Sequence, residues 1–133
     1  MARLATRPAE AEAALASLYE AISTEPRSLM KRDSAILRLI YTFEAVWKTC
    51  QQLLADKEDI EVASPNTAIR AARRLGWLSD ADAEAAMKTG RDRNLAVHMY
   101  RGEIGAEIGE RLAGHAAVLR RWIEALQKRA AAE

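Results

Sequence analysis

Residues 93 to 100 carry the side chains of this chain that are best suited to chemistry on a phosphodiester. Arg93, Asn94, His98 and Tyr100 lie within about two turns of a helix. A guanidinium is a permanent cation that stabilises phosphoryl charge, and an imidazole exchanges protons near neutral pH. The segment therefore predicts that His98 acts as general acid or base on a ribose 2′-hydroxyl or a leaving oxygen, while Arg93 stabilises the transition state.

Helical spacing decides which of these side chains can act together. Asn94 and His98 are four residues apart and share a face, so an amide contact could orient the imidazole. Arg93 and His98 are about 140° apart around an ideal helix, so they converge only if the helix ends between them or if a second copy of the chain supplies one of them. On spacing alone, Arg91 is a rival to Arg93. The structural alternative is a helix-end histidine capped by a carbonyl, with solvated arginines around it.

The overall charge does not favour binding to a polyanion, because 20 basic residues face 19 acidic ones. Any contact with nucleic acid must come from a local patch, and basic residues outnumber acidic ones between Ser64 and Arg101. The alternative is a solvated helix face. The basic residues of this patch are Arg70, Arg73, Arg74, Lys88, Arg91, Arg93 and Arg101.

The sequence offers little for metal or redox chemistry. With Cys50 as its only cysteine and with two histidines, the chain has no intrachain disulfide and no zinc-ligand cluster of the usual spacing, so we expect no metal and no cofactor. It also contains no secretory signal and no stretch as apolar as a membrane span, so we expect a cytoplasmic protein without membrane contact. The length of 133 residues predicts one domain, residues 1–133.

The elements that must position these side chains are helices, because alanine, leucine, glutamate and arginine are abundant and β-branched residues are few. We predict helices from about Pro8 to Ser23, from about Ser28 to Lys57, and from about Gly102 to Arg129. A short helix follows Ser64 and Pro65 and is stopped by Gly76. The remaining helix begins at Ser79, with Asp82 at the capping-box position, and carries residues 93 to 100.

Two of these helices carry long apolar seams, which predict an all-α, up-and-down four-helix bundle with an extra short helix. The fourth helix is weakly apolar and interrupted by Gly90, so we expect shallow packing for it. His115, on the last seam, is expected to be a core or interface histidine with a satisfied nitrogen. The seams consist of Ile36, Ile40, Phe43, Trp47, Cys50 and Leu54, and of Ile104, Ile108, Leu112, His115, Leu119, Trp122 and Leu126.

Three polar or aromatic residues outside residues 93 to 100 have two interpretations each. Glu44 and Lys48 are spaced as a surface ion pair, and the alternative is that they form a polar wall of the site. Tyr41 could stack on bases, but an isolated aromatic residue is more often a packing anchor.

The spacing R-x4-H-x-Y from Arg93 to Tyr100 resembles the signature of the HEPN superfamily, specifically the HepT-like toxins, which are also known as nucleotidyltransferase substrate-binding proteins. Other segments fall in the order that this family shows, so the resemblance spans roughly Lys31 to Ile108. These segments are Arg32 to Arg38, Thr42 to Lys48, Ser64-Pro65, Ala68 to Arg70, and Gly76 to Leu78.

The resemblance implies a homodimer in which two copies of the motif meet in a cleft at the two-fold axis. Active members are metal-independent endoribonucleases of toxin–antitoxin pairs, which implies that Arg93 and His98 are catalytic and Asn94 supports them. A partner minimal nucleotidyltransferase would neutralise the toxin by adding AMP to Tyr100. RNA contacts would then come from Lys88, Arg91 and Arg101.

Two alternatives remain open. The first is a non-catalytic substrate-binding or docking subunit for a partner nucleotidyltransferase, and the second is a purely structural helical adaptor.

Overall fold

The computed structural model describes residues 2–23, 28–99 and 102–132, and the regular elements in these segments are five α-helices. The predicted all-α architecture is confirmed. In chain order the helices are α1 (Ala2–Ser23), α2 (Leu29–Glu58), α3 (Pro65–Arg74), α4 (Asp80–Met99) and α5 (Gly102–Ala131).

Short-range sequence signals set most helix ends. Ser28 caps α2 by accepting a hydrogen bond from the backbone N–H of Lys31, and Ser64 and Thr67 form a reciprocal capping box at α3. Gly76 adopts a φ of 76°, which favours glycine, and follows the end of α3 as predicted. The predicted start of α1 at Pro8 is wrong, because α1 begins at Ala2 and contains Pro8. Pro8 has no backbone N–H and therefore leaves one hydrogen bond of α1 unmade.

Helices α1, α2, α4 and α5 form the up-and-down bundle, and the short α3 packs against α2 and α4. The two central helices, α2 and α5, contact each other. Helix α1 packs against one side of this pair, and α4 packs against the other. At the centre the rings of Phe43 and Trp122 meet edge to face, with centroids 6.1 Å apart. No helix within the described segments is long and apolar enough to cross a membrane.

Helix α4 differs from its prediction in one respect that matters for the site. It runs unbroken through Gly90, which is buried, so the predicted interruption is wrong. A Cβ added at Gly90 would lie 3.0 Å from Cζ of Phe43. Together with buried Ala83 and Ala86, this glycine lets α4 approach α2 closely, where shallow packing was expected. At Gly90, three residues before Arg93, the backbone of α4 therefore lies directly against the ring of a core phenylalanine.

Candidate functional site

Arg93 is held in place on three sides. Its Nη2 donates a hydrogen bond to Oε2 of Glu44 at 3.2 Å, and its Nη1 donates to Oδ1 of Asn94 at 2.8 Å. The guanidinium carbon lies 5.2 Å from the centroid of the Phe43 ring, within cation–π range. The side chain is 18% exposed, and its Nε is buried without a hydrogen-bond partner. The helix thus presents a guanidinium that is oriented before any ligand binds.

Glu44 does not form the predicted surface ion pair with Lys48. Its Oε2 accepts hydrogen bonds from Nε1 of Trp47 at 3.0 Å and from Arg93, while Nζ of Lys48 lies over the Trp47 ring, 4.6 Å from its centroid. The alternative interpretation, a polar wall of the site, fits this geometry for Glu44. The carboxylate of Glu44 binds Arg93, which α4 brings to it, and not Lys48, four residues along the same helix.

His98 and Asn94 are both exposed, and the predicted amide contact between them is wrong: Oδ1 of Asn94 accepts from Arg93, and no hydrogen bond joins Asn94 to His98 in the described segments. Within the described segments, His98 makes no side-chain hydrogen bond. Its imidazole is therefore open to solvent, or to a ligand, near the carboxyl-terminal end of α4.

The unbroken helix restricts how Arg93 and His98 can meet. Because α4 continues to Met99, it does not end between them, so Arg93 and His98 stay on different faces of one regular helix. Tyr100 and Arg101, the predicted modification site and a predicted RNA contact, lie outside the described residues.

The other two predicted RNA contacts lie on the same helix. Lys88 is exposed and pairs with Glu84 at 3.8 Å, whereas Arg91 is exposed and has no ion-pair partner in the described part of the chain. No cluster of three or more His, Cys, Asp or Glu residues suited to a metal ion occurs among the described residues.

A buried polar network that the sequence did not predict fastens α4 to α5 beside Arg93. Oδ2 of Asp92 lies 2.6 Å from Nε2 of His115, and Arg111 binds the same carboxylate through two hydrogen bonds of 2.7 and 2.9 Å. On the other side of the imidazole, Oγ1 of Thr89 lies 2.8 Å from Nδ1. The prediction that His115 is a packed histidine with a satisfied nitrogen is confirmed for both nitrogens.

The imidazole of His115 keeps its hydrogen bond to Asp92 whether it is neutral or protonated. Oγ1 of Thr89 has one hydrogen, which can point to the carbonyl of Ala85 at 3.1 Å or to Nδ1 of His115. In both cases Nε2–H of His115 donates to Asp92. Burial raises the pKa of Asp92, but hydrogen bonds and charge from Arg111 and His115 outweigh it and hold that pKa below 3.8.

Asp92→Asn is expected to lower the free energy of unfolding by about 2–3 kcal/mol at neutral pH, because Arg111 and His115 lose a charged acceptor. This value lies below that for a fully buried pair because the Arg111 side chain is 47% exposed. Since the pKa of Asp92 is lowered by folding, its contribution is complete above about pH 5 and fades as the pH falls below about 4. Denaturant unfolding of both proteins from pH 7 to pH 2 measures this difference.

The matched control is Asp80→Asn, since Asp80 also pairs with an arginine, Arg73, but is 87% exposed. Its removal should cost about 0.5 kcal/mol or less. Equal losses for the two variants would mean that the Asp92 network does not fasten α4.

An exposed apolar face lies beside Arg93. Leu37 and Tyr41 of α2 are 47% and 60% exposed, and they share a helix face with Glu44. On α4, Val97 is 50% exposed and lies one turn after Arg93. The expectation that Tyr41 anchors packing within the chain is therefore wrong. Together, Leu37, Tyr41 and Val97 make up the apolar face.

Comparison with known proteins finds a matching family and a solved structure of similar fold. Residues 6–128 match the family described as nucleotidyltransferase substrate binding protein like. A crystal structure of a Thermus thermophilus protein is 42% identical and has a TM-score of 0.82, covering 88% of this chain and 98% of that one. No curated protein matches the sequence.

Two more distant structures, each 16% identical to this chain, share the fold. One is a tri-AMPylated Shewanella oneidensis HEPN toxin in complex with MNT antitoxin, with a TM-score of 0.77 over 94% of this chain and 96% of that one. The other is a mutant of the toxin–antitoxin MntA–HpeT, with a TM-score of 0.78 over 94% of this chain and 97% of that one.

Proposed function

Because the chain belongs to the nucleotidyltransferase substrate-binding protein family and has the HEPN fold, we propose that it is a metal-independent endoribonuclease, the toxin of a toxin–antitoxin pair that acts in the cytoplasm. The observation that carries this proposal is the preset Arg93 on an unbroken helix that also presents an open His98. Orientation before binding is what electrostatic stabilisation of a phosphoryl transition state requires.

The site is composite and is formed by two copies of the chain. The unbroken α4 separates Arg93 and His98 around its axis, and the apolar face lies immediately beside Arg93. Exposed apolar side chains next to a polar site favour association with a second surface of the same kind. In such a dimer, Arg93 of one copy would face His98 of the other across a two-fold cleft.

In this cleft the imidazole of His98 either takes the proton of the attacking ribose 2′-hydroxyl or gives a proton to the leaving oxygen. Arg93 balances the charge that grows on the phosphoryl oxygens. Asn94, which accepts a hydrogen bond from Arg93, keeps the guanidinium in place. These steps need proton transfer and a fixed cation, which the chain supplies with its own side chains.

The experiment that tests this function is incubation of the purified protein with several RNAs in the presence of EDTA. We expect cleavage by the wild type and none by His98→Ala. If both proteins are equally inert on every RNA, the catalytic proposal is wrong.

The description of the matched family favours a second candidate, a non-catalytic subunit that docks a nucleotidyltransferase and presents a substrate in the cleft. In that case Arg93 and His98 would bind phosphate without turnover. A stable complex with a nucleotidyltransferase, together with no RNA cleavage and no growth arrest on expression, would support this candidate over the first.

The cognate nucleotidyltransferase, given ATP, is expected to add AMP to Tyr100 and to stop RNA cleavage. A bulky anion two residues after His98 would repel the RNA phosphates and block access to the cleft. Mass spectrometry of the peptide that contains Tyr100 measures the modification. Tyr100→Phe should be neither modified nor inhibited, while Tyr41→Phe should be modified like the wild type. Continued AMP addition to Tyr100→Phe would show that another residue is the acceptor.

A further inference from the structure

A pocket of about 320 Å³ lies between the first turn of α3 and the middle of α4, next to Arg93. Its volume is at the lower end of the range for small-ligand sites. The α3 side is formed by Ser64, Pro65 and Asn66, a motif without a role in the catalytic proposal. The remaining lining residues are Phe43 of α2 and Met87, Gly90, Arg91, Arg93 and Asn94 of α4.

The charge of this pocket is positive. Two arginines line it and no carboxylate does. Glu44 neutralises part of the Arg93 charge from outside the lining, but Arg91 has no ion-pair partner in the described part of the chain. A ligand with a phosphate would supply an acceptor for the Arg91 guanidinium.

The rest of the lining is suited to a ligand larger than a bare anion. Phe43 and Met87 provide apolar surface. Asn66 and Asn94 provide amide groups, and because Oδ1 of Asn94 is taken by Arg93, its amide nitrogen is left to donate. Single-stranded RNA is recognised by this combination of a cation for the phosphate, apolar contact for a base, and amides for the base edge.

We propose that this pocket is a subsite for one nucleotide of the RNA, adjacent to the phosphate at which cleavage occurs. Arg91 binds the phosphate of that nucleotide, and Asn66 and Asn94 read the edge of its base. The inference rests on the proposed ribonuclease function, and it assigns to the Ser64-Pro65-Asn66 turn a part in choosing the RNA sequence.

The test is an NMR titration of the protein with each of the four nucleoside 5′-monophosphates and, separately, with inorganic phosphate. We expect amide shifts at residues 64–66 and 87–94, and tighter binding of at least one nucleotide than of phosphate. Arg91→Ala should weaken nucleotide binding by about tenfold, whereas Arg121→Ala, which removes an exposed arginine on α5 outside the pocket and the basic patch, should leave it unchanged. Asn66→Ala should change the order of affinity among the four nucleotides.

Phosphate binding as tight as that of every nucleotide, or equal losses in Arg91→Ala and Arg121→Ala, would overturn the inference. The titration is repeated with His98→Ala, because His98 does not line the pocket. Nucleotide binding by this variant at wild-type strength supports the subsite even if the wild type cleaves no RNA, and in that case only the ribonuclease function fails. RNA cleavage without nucleotide binding in this pocket would instead overturn the subsite and leave the function standing.

Discussion

His98→Ala is expected to lower the rate of RNA cleavage by about 10³-fold, because general acid–base catalysis by a placed histidine contributes of that order. The unfolding free energy should not change measurably. His98 is exposed and makes no side-chain hydrogen bond within the described segments, so its removal breaks no packing. Initial rates on a defined RNA, together with a denaturant melt, measure both quantities.

Two further variants sharpen this result. Arg93→Lys keeps the charge but loses the planar guanidinium that reaches both Glu44 and Asn94, so we expect a loss of rate that approaches that of Arg93→Ala. Arg121→Ala removes an exposed arginine from α5, outside the basic patch, and should cleave like the wild type. Full activity in His98→Ala beside an active wild type would remove the histidine from the mechanism.

Placing a carboxylate on the apolar face is expected to separate the dimer and abolish cleavage. Leu37→Glu and Tyr41→Glu would each bury an unpaired charge at the contact, which costs about 3 kcal/mol and weakens association by about 10²-fold. Because the proposed site needs both copies, activity should fall together with the dimer fraction. Sedimentation velocity and cleavage assays at the same protein concentrations measure the two together.

The matched control is Ala16→Glu, which adds the same charge to an exposed position on α1, outside the apolar face. It should remain dimeric and active. A fully monomeric Tyr41→Glu that still cleaves RNA at the wild-type rate would contradict a composite site.

Much of the scaffold could be predicted because the relevant signals are local. The spacing of Phe43 and Trp47 on α2, and of Leu119 and Trp122 on α5, marks faces that must be buried wherever the helices pack, and all four are buried. Ser64 likewise caps α3 through contacts within one turn. Such features depend on few neighbours, so a single sequence specifies them.

The positioning of the site could not be predicted because it depends on contacts between distant residues. Glu44 and Arg93 are 49 positions apart, and their contact requires the close approach that Gly90 allows. The Asp92 and His115 pair depends in the same way on how α4 is rotated against α5. From the sequence, Gly90 looked like an interruption, and Asp92 was only one of the acidic residues between Ser64 and Arg101. The spacing of Glu44 and Lys48 suggested a pair within α2, but it could not indicate that Arg93 of α4 would bind Glu44 instead.

The most direct test of the composite site is subunit mixing. Arg93→Ala and His98→Ala are each expected to be inactive, but in a heterodimer one cleft keeps Arg93 from one copy and His98 from the other. Random exchange makes about half of the dimers mixed, each with one intact site of two, so the mixture should recover about one quarter of wild-type cleavage. A mixture that stays as inactive as its components, although differently tagged subunits are shown to exchange, would contradict the account.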